Sequence, residues 1–88
     1  MKAVLCTQYG PPSSLVVKDI PALQPGPGEV VVAVHAASVN FPDGLIIENK
    51  YQFKPELPFS PGGEVAGTIG AIGPGVTGWS VGDRVIAV

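Results

Sequence analysis

Cys6, His35, Asn40, Asp43, Tyr51 and Glu64 are the side chains whose types and settings in this sequence could do chemistry. Asn40 and Asp43 stand where a long apolar run ends and a helical pattern begins, a common place for residues that face a cleft. On pattern alone both read as helix caps. Asn40 suits the N-cap, Pro42 the first turn, and Asp43 the positive end of the helix. Tyr51 follows in a proline-rich loop with Phe53 and Phe59, and reads as an amphipathic ring lying on the core with its hydroxyl in water. Glu64 comes after Gly62-Gly63 and before Val65-Ala66-Gly67. Its carboxylate either enters an apolar strand, where burial demands a partner such as Arg84, or stays exposed at the strand's entrance.

Metal and nucleotide chemistry have weaker support in the residues themselves. His35 is the single histidine, mid-strand with Val31, Ala33, Ala37 and Val39 on its face. With no second histidine to share a metal, it reads as a packed, hydrogen-bonded side chain. Cys6 is the only cysteine, which excludes an internal disulfide and leaves a small buried apolar residue as its reading. Gly73-Pro74-Gly75-Val76-Thr77-Gly78 has the G-x-G-x-x-G spacing of a dinucleotide fingerprint but not its context. Pro74 removes one amide, and residues 79–83 contain another turn where a helix N-terminus should face the pyrophosphate. That stretch is read as turns.

The chain around these residues has 88 positions, enough for one domain and its core. Its 12 glycines and 10 prolines, a quarter of the residues, would suit a disordered segment. Hydrophobic content of 45% with only 14% charged residues argues instead for a folded, turn-dense β domain. Five basic residues against seven acidic ones give a net charge of −2, and the basic residues are scattered, so nucleic acid is not expected as a partner. The apolar runs are far shorter than the roughly 20 residues that cross a bilayer, and the N-terminus lacks a signal-peptide core. A cytoplasmic protein is expected.

Residues 2–6 and 15–20 read as two strands joined by a tight connection, the pattern of a hairpin. Residues 21–28 form a proline-rich loop that cannot continue a central strand. Residues 30–39 are apolar on both faces of the alternation and read as a strand buried on both sides. One short helix is expected over 41–48. Residues 55–61 read as extended and irregular. A glycine-spaced strand over 65–72 follows, with Gly67 and Gly70 marking close approach or a bend. Turns at 73–75, 78 and 81–83 lead to a final strand over 84–88. The chain stops inside the apolar run Val85-Ile86-Ala87-Val88, and so reads as a piece of something longer.

Taken in order, four blocks closely resemble the N-terminal GroES-like catalytic domain of the medium-chain dehydrogenase/reductase superfamily. They are Pro27-Gly28-Glu29-Val30, Ala36-Ala37-Ser38-Val39-Asn40-Phe41-Pro42-Asp43, Pro61-Gly62-Gly63-Glu64-Val65-Ala66-Gly67 and Val81-Gly82-Asp83-Arg84-Val85. More narrowly, the chain resembles the zinc-free quinone oxidoreductase branch, the relatives of zeta-crystallin. The resemblance implies a mainly β, partly open GroES-like barrel with one short helix. It also implies that residues 1–88 are an incomplete substrate-side domain of a two-domain oxidoreductase, with a Rossmann domain after residue 88. In the zinc-dependent alcohol dehydrogenases a cysteine occupies the position matched by Asn40 and a histidine that matched by Gly63. Neither replacement ligates zinc as a thiolate or imidazole does, so no catalytic zinc is expected.

Without a Lewis acid, an ordinary ketone lacks stabilisation for its developing alkoxide, whereas a quinone or enone spreads incoming charge over its own conjugated system. The resemblance therefore implies NADPH-dependent reduction of quinones or other conjugated carbonyl compounds, with the cofactor held mainly by residues beyond 88. It places Asn40 beside the nicotinamide or the substrate carbonyl, making it a catalytic and cofactor-binding residue, and Tyr51 at the substrate mouth as a second catalytic residue. Both could donate a hydrogen bond to an oxygen that gains charge. Asp43 and Glu64 are read as scaffold. A homodimeric parent is expected, and the segment alone is expected to be inactive. An enoyl or 2-alkenal double-bond reductase is the nearest alternative, and a stand-alone co-chaperonin-like binding module is an alternative from another class.

Overall fold

Two short valine-containing runs near the N-terminus make two strands, β1 (Lys2–Leu5) and β2 (Val16–Asp19), paired antiparallel with Lys2 opposite Asp19 and Leu5 opposite Val16. The structure is a computed structural model and describes all 88 residues. The expected hairpin forms, but its connection is long rather than tight. Cys6 leaves β1 to pair with Phe59, donating to the Phe59 carbonyl at 2.8 Å and accepting the Phe59 N–H at 3.2 Å. The chain then needs a 3-10 turn, Pro12–Ser14, before it can return to β2. That turn is closed by the Ser14 hydroxyl and N–H, which both donate to the Pro11 carbonyl. Cys6 is fully buried, as expected, and its thiol lies 3.2 Å from the Gln8 carbonyl.

The helix α1 (Phe41–Ile47) starts at the N-cap Asn40, as the sequence pattern predicts. It ends one residue early because Glu48 is the C-cap and Asn49 turns left-handed, with φ 60°. The Asn49 N–H then donates to the Ile46 carbonyl and the Lys50 N–H to the Leu45 carbonyl, satisfying two end carbonyls at once. Ile47 is buried, and its carbonyl accepts the Gly10 N–H at 2.9 Å. The hairpin, α1 and the loop to Gly63 belong to one compact unit, Met1–Pro21 with Val39–Gly63.

The other unit, Ala22–Ser38 with Glu64–Val88, holds a three-stranded antiparallel sheet. Its strands are β3 (Val30–Ala37), β4 (Val65–Ile72) and β5 (Arg84–Ala87), with β4 in the centre. Two register shifts bend it. Gly70 is the extra residue of β4 opposite Val31 and Val32, and His35 is the extra residue of β3 between Val34 and Ala36. A Cβ on Gly67 would fall onto the carbonyl oxygen of Ala33, so the close approach read from the glycine spacing is real. Ile69 is the buried apolar side chain of this unit. The turn before β5 is held by Asp83, whose carboxylate accepts the Ser80 N–H at 2.9 Å.

Two expectations for β3 are corrected. The strand ends at Ala37, and it is not buried on both sides: it is half-buried at its start and exposed from Ala33 onward, with Val34 54% exposed. A strand apolar on both faces needs cover on both, and within this unit β4 supplies only a lateral neighbour. His35, read as packed, is exposed together with its neighbours on β3, and it is the extra residue of the register shift. The content is otherwise as expected: mainly β, with one short α-helix and an open sheet. No helix is long and apolar enough to cross a membrane.

Candidate functional site

Asn40 occupies an extended backbone conformation, φ −120° and ψ 162°, at the point where the chain turns into α1. Its position is fixed by Asp43. The Asp43 carboxylate accepts the Asn40 backbone N–H at 2.8 Å, while the Asp43 N–H donates to the Asn40 carbonyl at 3.0 Å. Asp43 thus caps the helix and also pins the residue that precedes it. Pro42 sits in the first turn, where its missing N–H costs nothing. Asn40 is exposed, between Val39 at 92% and Phe41 at 81% exposure.

Beside the capping pair lies a cavity of about 290 Å³, built by α1 and the loop that follows it. Ile46, Phe53, Phe59 and Pro61 give it apolar walls, Asp43 and Ser60 bring polar groups, and Gly62 and Gly63 complete the lining. The Ser60 hydroxyl donates to the Val4 carbonyl at 2.6 Å, which ties the loop to β1. The sequence reading missed this cavity. Its signal was there in the two phenylalanines set among prolines and closed by a glycine pair.

Of the two residues expected to act together, Asn40 stands at the N-terminal end of α1 and Tyr51 beyond its C-terminal end. Seven helical residues separate the two ends by about 10 Å. Neither residue lines the cavity. Tyr51 is half-buried, in a bend clamped by Lys54, whose ammonium donates to the Asn49 carbonyl at 3.2 Å and to Asn49 Oδ1 at 3.1 Å. The residue brought to Asn40 by the fold is Asp43.

In the sheet unit Glu64 takes the exposed alternative, and its Oε2 accepts the Ser38 hydroxyl at 3.0 Å. The Ser38 N–H also donates to the Glu64 carbonyl at 3.2 Å, so the end of β3 and the start of β4 are held by a paired contact. No group of three or more His, Cys, Asp or Glu side chains is placed to hold a metal ion. The 73–78 glycine turn runs through bends into β5 and not into a helix. That turn therefore presents no helix N-terminus to a dinucleotide's pyrophosphate.

Residues 26–88 match the alcohol dehydrogenase GroES-like domain family. The chain belongs to that family. Over 88 residues it is 47% identical to the quinone oxidoreductase-like protein 2 homolog of Nematostella vectensis, covering 99% of this chain and 24% of that protein. A mycobacterial quinone oxidoreductase structure superimposes on the GroES-like chain with a TM-score of 0.89 and 44% identity, covering 98% of this chain and 27% of that one. The Escherichia coli quinone oxidoreductase complexed with NADPH matches with a TM-score of 0.90 and 30% identity, covering 98% and 26%. Alcohol dehydrogenases are among the other relatives. The medium-chain dehydrogenase/reductase resemblance is thereby confirmed, and the chain spans about a quarter of the length of these relatives.

Proposed function

We propose that these residues form the substrate-side domain of an NADPH-dependent oxidoreductase that reduces quinones or other conjugated carbonyl compounds without zinc. The observation that carries the reading is Asn40, an exposed residue whose backbone N–H is held by Asp43 at the start of α1; the family resemblance matches this position to a thiolate zinc ligand of the zinc branch. The relatives named quinone oxidoreductases and the NADPH complex of one of them support it. A Rossmann domain beyond residue 88 would hold most of the cofactor, which when bound supplies the hydride. With a quinone, one hydride and one proton from solvent give the hydroquinone, and NADPH becomes NADP⁺.

The part of this chain is to bind and polarise. The Asn40 carboxamide donates an N–H to the acceptor oxygen as it gains charge, and its fixed backbone means that little reorganisation accompanies that step. Tyr51 acts at the mouth, its hydroxyl a donor to the same class of oxygen. The apolar walls beside Asp43 exclude water from the acceptor ring. Alone, the 88 residues turn over no acceptor, since they lack a phosphate site to position the nicotinamide. A homodimeric, cytoplasmic parent with small-molecule partners completes the proposal.

The test is steady-state NADPH oxidation by the full-length protein with 1,4-naphthoquinone. Asn40→Ala should lower kcat at least tenfold, as removal of an oxyanion donor does, and Tyr51→Phe should lower it less. Unchanged kinetics in both variants would remove the site assignment.

A further inference from the structure

We infer that Gly63 sets the size of acceptor that the site admits, because it lines the cavity beside Asp43 and brings no side chain to it. The inference rests on the oxidoreductase reading above and deepens it.

A Cβ built on Gly63 meets no atom within 4 Å, and its backbone is not among those with positive φ. The position can therefore accept a side chain without backbone strain, and that side chain would project into free space. Gly63 itself lines the cavity of about 290 Å³. This is close to the lower end of ligand pockets, roughly 300 Å³, and so suits a ring of small to moderate size. The walls match a planar conjugated ring: Phe53 and Phe59 offer aromatic faces and Ile46 an aliphatic one. The same cavity is anchored to the proposed catalytic residue, since Asp43 lines it and holds the Asn40 N–H. A cyclic acceptor would occupy this space, whereas a short open-chain enone reaches the Asn40 carboxamide without filling it.

The experiment compares kcat/KM of the full-length protein for 1,4-naphthoquinone and for methyl vinyl ketone, with NADPH as donor, in wild type, Gly63→Leu and Gly44→Ala. Gly44 lies in α1 with open space at its Cβ and away from the cavity lining, so it reports general effects of filling a glycine. In Gly63→Leu the ratio of naphthoquinone to enone kcat/KM should fall at least fivefold, mainly through KM for the quinone, while Gly44→Ala keeps the wild-type ratio. A smaller fall overturns the inference. Should Gly63→Leu not fold, Phe53→Ala decides in its place: loss of that wall should raise the quinone KM relative to the enone KM at least threefold, and a smaller rise overturns the inference. A wild type that is active on quinones but shows an unmoved ratio in the variant sinks the inference alone. A wild type inactive on every quinone sinks the functional reading and the inference with it.

Discussion

The carboxylate of Asp43 holds the backbone N–H of Asn40 at 2.8 Å, so one acidic residue both starts the helix and fixes the backbone of the residue proposed to meet the acceptor. Stability and turnover are coupled at this contact. Asp43→Ala should cost about 1 kcal/mol of unfolding free energy, the usual worth of a cap, measured by denaturant titration. The variant's kcat should fall as well. Asp43→Asn, which keeps an acceptor oxygen, should lose less of both. Loss of stability with no change in kcat would show that the cap does not position Asn40.

Gly67 and Gly44 should respond to the same substitution with opposite signs. At Gly67 a methyl group runs into the Ala33 carbonyl, a backbone atom with little freedom to yield, and Gly67→Ala should destabilise by at least about 2 kcal/mol. At Gly44, inside α1, the new Cβ meets nothing, and Gly44→Ala should stabilise by about 0.5–1 kcal/mol through helix propensity. Unfolding curves of the two variants give the check, and equal signs would contradict the packing described for β3 and β4.

Ile47 carries much of the core of its unit, since it and Cys6 are the buried apolar side chains there. Truncation by Ile47→Ala should cost about 2–5 kcal/mol, which is a large share of the stability of a domain this size. Loss of the cooperative unfolding transition at 37 °C is the expected outcome, and a loss below about 1 kcal/mol would place the core elsewhere.

The turn ahead of β5 depends on Asp83. Its carboxylate accepts the Ser80 N–H, and its carbonyl accepts the Ile69 N–H at 2.9 Å. Asp83→Ala removes only the first of these, so a loss of about 1 kcal/mol is expected, together with faster amide exchange at Ser80. Unaltered exchange there would refute the role given to the side chain.

Much of the fold could be read in the residues because local chemistry decided it. Asn40, Pro42 and Asp43 announced the helix start, and Gly67 announced the close strand pair. What failed depended on distant partners. The hairpin connection lengthened because Cys6 pairs with Phe59, a contact across more than fifty positions that no local pattern carries. His35 was misplaced because burial depends on what covers a strand's faces, and an apolar alternation does not show that within this unit β3 is exposed from Ala33 onward. Asn49 carried a readable sign of the helix end in its tolerance for the left-handed region. The cavity went unread since its walls meet only where the loop after α1 returns to Asp43 and Ile46.

The most direct test of the central claim is metal analysis joined to an acceptor assay on the full-length protein, dialysed against a strong chelator and supplied with NADPH. We predict that the chelated protein holds no stoichiometric zinc and still reduces 1,4-naphthoquinone at the undialysed rate. Activity that vanishes on chelation and returns with zinc, or a protein that acts on simple alcohols alone, would contradict the account.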